Sequence, residues 1–108
     1  MIDPLQSFLD YLTAERGLSL NTVSAYKSDI QQLIENLAGL GISTSDTNSW
    51  TSIDRVLLTR FVRMLQSKGY SSATQARKIA AVKSFFNFLT EEGFVNVDPT
   101  ESIESPRV

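Results

Sequence analysis

An all-α fold is predicted, a compact orthogonal bundle of four helices with room for a short fifth, and three observations predict it. Four segments carry apolar residues at i, i+3, i+4, i+7 spacing. Each is opened by a Ser or Asp suited to capping and closed by a Gly. No segment alternates apolar and polar residues at the period of a strand, and no internal repeat is visible.

The first helix is expected from Pro4 to about Arg16. Asp3 can cap it, Pro4 fits the first helical position, where a missing N–H costs nothing, and Gly17 stops it. Leu5, Phe8, Leu9 and Leu12 form one apolar stripe. The second helix runs from Leu20 to about Ala38 behind Ser19. Val23, Tyr26, Ile30, Leu33, Ile34 and Leu37 share one face, while Asn21, Ser24, Ser28, Gln31 and Glu35 share the other. Gly39 and Gly41 end it. Residues 42–53, rich in Ser, Thr, Asn and Asp, read as a loop pinned to the core by Trp50.

The third helix follows Asp54 and continues to Lys68, ahead of Gly69. Its expected buried face is Val56, Leu57, Phe61, Met64 and Leu65, with Arg55, Arg60 and Arg63 towards its other sides. The fourth starts at Ser72, where Ser72-Ala73-Thr74-Gln75 matches a capping box, and runs to about Glu92. Ile79, Val82, Phe86 and Leu89 are its core stripe, and Thr74, Arg77, Ala81 and Ser84 fall in a narrow sector opposite. Pro99 disfavours helix at Asp98. The helical domain is therefore expected over residues 1–98, with 99–108 opening a linker and a short fifth helix fitting near 99–103.

Composition narrows the function. A chain of 108 residues, 42% apolar and 20% charged, suffices for one globular core. With no Cys, disulfides and thiolate metal sites are excluded, and a reducing compartment fits. No apolar run approaches the roughly 18–20 residues of a membrane span. Met1-Ile2-Asp3-Pro4 lacks the pattern of a signal peptide, so a cytoplasmic protein is expected. The chain also has no His, which removes the commonest general base and the commonest metal ligand. Its carboxylates form no spaced cluster for a cation. No catalytic residue, metal or cofactor is expected.

The net charge of −2 is unevenly distributed. Between Arg55 and Thr90 lie seven basic residues (Arg55, Arg60, Arg63, Lys68, Arg77, Lys78, Lys83) and no acidic one. Binding follows local potential rather than the total, so such a block can attract phosphate. An ordinary solvated helical surface is the competing reading.

Two helix starts, Ser19-Leu20-Asn21-Thr22 and Ser71-Ser72-Ala73-Thr74, combine free backbone N–H groups with hydroxyl donors, which favour phosphate oxygens. Plain N-capping explains them equally. The fourth helix adds weight: its outer sector offers Thr74, Arg77, a small Ala81 and Ser84, with Lys78 on the flank and no carboxylate before Glu91. A helix that enters a major groove needs cationic and hydrogen-bonding side chains beside small ones.

These residues resemble a family. Leu18, Ser19, Thr22, Tyr26, Asp29 and Ile30 match the "LSxxTxxxYxxDL" opening of tyrosine recombinase core-binding domains. The run from Ser71 to Leu89 is similar to its "SxxTxxRxLSALRSFFxFL" helix, and Asp98-Pro99 with Ile103 and Pro106 resembles the "NPxxxIxxPK" exit towards a catalytic domain. The similarity covers nearly the whole chain, in order, and is nearest to Xer-type recombinases and phage integrases. It implies a SAM-like core-binding domain that forms half of a clamp on double-stranded DNA, with the second and fourth helices facing the major groove. Carried over by position, the DNA-binding residues are Thr22, Ser24, Ala25 and Ser28 on the second helix, and Thr74, Arg77, Lys78 and Ala81 on the fourth, with Ser72 at its start. Lys83 aligns with a family Arg and meets either phosphate or solvent. Tyr26 and Phe85, Phe86 and Phe88 are expected to pack rather than to touch DNA.

The resemblance further implies partners: a C-terminal catalytic domain and neighbouring recombinase protomers on DNA, with the isolated domain monomeric. The family's nucleophilic Tyr, paired Arg, Lys and His belong to that catalytic domain. Tyr11, Tyr26 and Tyr70 are therefore not nucleophiles, and this domain is not an enzyme by itself. The second helix lacks the basic residues often found on its groove-facing side. A helical protein–protein interaction domain is the alternative; it needs an exposed apolar patch, for which Phe88, Phe94 and Val97 are the candidates.

Overall fold

In the computed structural model, which describes residues 3–104, four α-helices follow one another with no strand among the described residues. They are α1 (Pro4–Ala14), α2 (Leu20–Gly39), α3 (Arg55–Ser67) and α4 (Ser72–Glu91). The expected loop after α2 contains a 3₁₀ turn, Thr47–Ser52. Its own cap is Asp46, whose carboxylate accepts the Asn48 N–H at 3.0 Å. Trp50 is buried, as a loop anchor must be.

The helix starts follow from local chemistry. Asp3 accepts the Leu5 N–H at 3.0 Å, and Asp54 accepts the Leu57 N–H at 3.0 Å. Ser19 caps α2 by accepting from Thr22, and Ser71 caps α4 by accepting from Thr74. The cap of α4 thus sits one residue before the expected Ser72. Gln75, the residue that would close a capping box on Ser72, instead donates to the Tyr70 carbonyl at 2.9 Å. At the other ends, α1 stops at Ala14, two residues short of Arg16, and α2 includes Gly39. The link from α3 to α4 is short because Gly69 adopts φ +76°, a left-handed conformation that costs Gly least.

Helix α4 is the axis of the molecule and packs on α1, α2 and α3. The expected stripe of Ile79, Val82, Phe86 and Leu89 is buried, and so are Phe85, Phe88 and Ala81. Phe8 of α1 meets Phe85 edge-on, with ring centroids 5.3 Å apart, and Trp50 meets the rings of Phe85 and Phe86 at 5.0 and 5.8 Å. Three neighbouring helices and Trp50 leave α4 little free circumference. The sequence expectation of one open sector is corrected here: Ala81 is 2% exposed and Lys78 8%, because α2 lies against that side.

On α3 the buried residues are Leu58, Phe61 and Leu65, with Leu57 and Met64 only partly covered. Val56, expected inside, is 65% exposed. It lies two positions before Leu58, about 200° around the helix, so both cannot face inward.

After α4 the chain turns back on the body. Phe94 donates to the Leu89 carbonyl at 2.8 Å, and Val95 is buried. Among the described residues no fifth α-helix follows; residues 99–102 form turns. Asp98 accepts both the N–H and the hydroxyl of Thr100, at 2.8 and 2.6 Å, and Thr100 is buried. The Lys83 ammonium donates to the Ile103 carbonyl. Thr100 and Ile103 are thus held against the helical body. The rest of the expected linker, residues 105–108 with Pro106, lies outside the described residues. The radius of gyration is 13.3 Å, close to the roughly 13 Å of a single domain of this length.

Candidate functional site

The site is built where α2 and α4 meet. Gln32 reaches Tyr70 and Lys78, Asp29 reaches Arg77 and Lys78, and Thr22 and Ala25 share a cleft with Ala80 and Ala81. As numbers rise along α2 they fall along α4, so the helices run in opposite senses. Their N-termini consequently lie at opposite ends of the contact, on the order of 18 Å apart at 1.5 Å per residue of α2.

Both N-termini carry one hydrogen-bond device. The Ser19 hydroxyl accepts the Thr22 N–H at 3.2 Å and donates to the Thr22 hydroxyl oxygen at 3.0 Å. Ser71 and Thr74 repeat this at 3.2 and 3.1 Å. Each cap Ser spends its hydroxyl internally, and each Thr keeps its own hydroxyl proton to donate to a further acceptor. Thr22 is exposed and Thr74 half-buried. Ser72, first residue of α4, is exposed beside them.

Between these ends lies a cleft of about 420 Å³ lined by Asn21, Thr22, Ala25, Arg77, Ala80 and Ala81, with Tyr26 and Asp29 in its wall. Small alanines on both helices let a ligand backbone approach closely, while the Asn21 amide, the Thr22 hydroxyl and the Arg77 guanidinium supply donors. Tyr26 packs against Phe8, with centroids 5.9 Å apart, as its place on the apolar face implied.

Electrostatics in the cleft centre on a residue that the sequence reading matched to the family motif but did not place among the DNA-binding residues. Asp29 is 1% exposed. Its Oδ1 accepts from Arg77 Nη2 at 2.9 Å and from Lys78 Nζ at 3.1 Å. Lys78 also donates to Gln32 Oε1 at 2.7 Å and lies over the Tyr70 ring, 5.2 Å from its centroid. The Gln32 amide in turn donates to Tyr70 Oη at 3.1 Å. The two cations differ in access: the side chain of Lys78 is 10% exposed and that of Arg77 55%. One carboxylate against two cations leaves the cluster a formal charge of +1. The block from Arg55 to Thr90, free of acids along the chain, is not free of them in space.

Of the sequence-predicted residues, the fold brings Thr22, Ala25, Arg77 and Ala81 into this cleft. Ser24 and Ser28 are exposed on α2, one turn apart. Lys78, expected on the flank of an exposed face, is inside because Asp29 and Gln32 draw its ammonium towards α2. Lys83 holds the returning chain at Ile103. Ser84 is half-buried, in a smaller pocket with Tyr11, Asn87 and Phe88. Asp29 had a sequence signal: it stands three residues after Tyr26 and four before Leu33, on the apolar stripe of α2. A charge at such a position needs a buried partner.

The apolar patch required by a protein–protein reading is small. Phe88 is buried, Phe94 is half-buried, and Val97 is exposed. Among the described residues, no group of carboxylates is placed to hold a metal ion, and no helix is long and apolar enough to cross a membrane.

Residues 5–93 match the family model described as phage integrase, N-terminal SAM-like domain. The chain is 39% identical over its full length to tyrosine recombinase XerC of Herpetosiphon aurantiacus, covering 34% of that protein. It is 42% identical over its full length to tyrosine recombinase XerC of Roseiflexus castenholzii, covering 33%. Against tyrosine recombinase XerD of Oceanobacillus iheyensis it is 35% identical over 95% of the chain and 33% of the relative. The chain thus spans about one third of the length of these curated relatives. No solved structure matched it.

Proposed function

The chain belongs to the family of phage integrase N-terminal SAM-like domains, and from that membership we propose that it binds duplex DNA on behalf of a site-specific tyrosine recombinase. Strand cleavage is the work of a separate catalytic domain, and that domain and neighbouring recombinase protomers are its protein partners. The observation that carries this reading is the α2–α4 cleft. It is floored by alanines and lined with neutral donors and the exposed Arg77, and the ion cluster in and behind its wall, counting Lys78, carries a formal +1 although the whole chain is negative. Phosphate is the ligand that such a cleft suits, because charge and N–H or O–H donors serve it together.

In this reading Thr22, Ser24, Ser28, Ser72, Thr74 and Arg77 contact DNA, and Ala25 and Ala81 permit close approach. Lys78 and Lys83 act from behind, one through Asp29 and the other by holding the chain end. Titration of a short duplex into the labelled protein, followed by NMR, tests the assignment. Shifts are expected at the N-terminal halves of α2 and α4, with a dissociation constant of roughly 10⁻⁴–10⁻⁶ M and log affinity falling linearly with log salt. Arg77→Glu should abolish them. Shifts that persist unchanged in that variant, or affinity indifferent to salt, refute the reading.

A further inference from the structure

We propose that Asp29 is the positioning residue of this cleft: it anchors the Arg77 guanidinium at the mouth while Lys78, bound inside on the same oxygen, supplies its neutralising charge. The inference rests on the DNA-binding reading and adds to it a buried acid in a site that must hold an anion. A carboxylate near a phosphate ordinarily repels it. Here the repulsion is cancelled from within, because Lys78 approaches Asp29 Oδ1 at 3.1 Å with only 10% of its side chain exposed.

Arg77 stands differently. It gives one Nη2 bond to Asp29 at 2.9 Å, and its side chain is 55% exposed. A guanidinium has five N–H donors, so most of the fork remains available at the cleft mouth. Its charge also remains available, since Asp29 is already matched by Lys78. Arg is a costly side chain to immobilise, and an anchor that fixes it beforehand removes that cost from binding. The anchor is itself braced. Lys78 bonds Gln32 at 2.7 Å, Gln32 bonds Tyr70 at 3.1 Å, and Gln75 bonds the Tyr70 carbonyl at 2.9 Å. This chain ties the turn before α4 to the middle of α2.

The test needs a variant that removes the anchor without changing net charge or leaving Lys78 buried alone. Asp29→Leu combined with Lys78→Met meets both conditions, because Leu cannot accept from Arg77 and exchange of a buried ion pair for apolar groups of similar volume is often tolerated. Binding of a short mixed-sequence duplex is measured across a salt series for the unsubstituted chain, for this double variant, for Arg77→Ala, and for the triple combination. The double variant is expected to bind about three- to tenfold more weakly, the gain from pre-ordering one long side chain. Arg77→Ala should lower the salt slope by about one unit in the unsubstituted chain and by clearly less in the double variant. A merely structural Asp29 would leave the Arg77 effect the same in both backgrounds, and that result overturns the proposal.

Equal or tighter binding by the double variant overturns it too, leaving the DNA-binding reading intact. Failure of the unsubstituted chain to bind duplex at all overturns both. Should the double variant not fold, the unsubstituted protein still decides. Nuclear Overhauser contacts from the Arg77 guanidinium to α2 side chains beside Asp29 should persist at saturation with duplex. Their disappearance would show that DNA takes Arg77 away from Asp29, and the proposal would fall.

Discussion

Asp29→Asn alone should be among the most destabilising single changes outside the aromatic core. The substitution is nearly isosteric, so it leaves no cavity; what it removes is the charge that Lys78 and Arg77 share. Lys78 is 8% exposed and cannot turn to water without leaving Gln32 and the Tyr70 ring. Breaking a buried ion pair from one side costs about 3–5 kcal/mol, and the lower end applies because Gln32 still accepts from the ammonium. Arg77, more than half exposed, adds less than about 1 kcal/mol after solvent screening. A total near 3 kcal/mol is a large part of the roughly 5–15 kcal/mol that holds a domain together.

Urea denaturation followed by Trp50 fluorescence reads this directly. Trp50 is the sole tryptophan, and it is 2% exposed against Phe85 and Phe86. With a slope of about 1.5 kcal/mol per M, the midpoint should fall by about 2 M. Adding Lys78→Met to Asp29→Asn should recover part of the loss, since the uncompensated charge is then gone. A loss below about 1 kcal/mol for Asp29→Asn, or a double variant equal to the sum of the singles, would refute the view of Asp29 as a buried counter-ion.

Two further outcomes follow from the same packing. Ser71→Ala should cost about 1 kcal/mol in the same urea assay and Ser72→Ala little, because the α4 cap is Ser71. On α3, Leu58→Ala should cost about 2–5 kcal/mol and Val56→Ser less than about 0.5, reversing the order their neighbouring positions in the sequence suggest.

The elements of this fold were legible in the chain because their signals are local. Asp3 with Pro4, Ser19 before Thr22 and Asp54 before Leu57 each mark a helix start within one turn, and the N–H groups they satisfy belong to their own segments. The stripe Ile79, Val82, Phe86 and Leu89 needed only the helical period, and the anchoring of Trp50 followed from one large apolar residue in a polar loop. The motif order identified the family for a related reason: spacing along the chain is itself a sequence property.

What periodicity could not supply is which sides of a helix its neighbours cover. A single stripe was the right expectation for a surface helix, but α4 is enclosed by α1, α2 and α3, so Ala81 and Lys78 went inside with the aromatic rings. Val56 was expected inside and Leu58 was not named, and the docking of α3 chose the reverse. The largest difference is electrostatic. Along the chain Arg77 and Lys78 sit in a run without acids, yet a contact spanning 48 residues sets Asp29 against them. Composition and spacing determined a basic, hydroxyl-bearing helical face; only tertiary structure decided which of its charges is spent on Asp29 inside and which stands at the surface. The reason is that a buried charge takes its partner from space rather than from sequence.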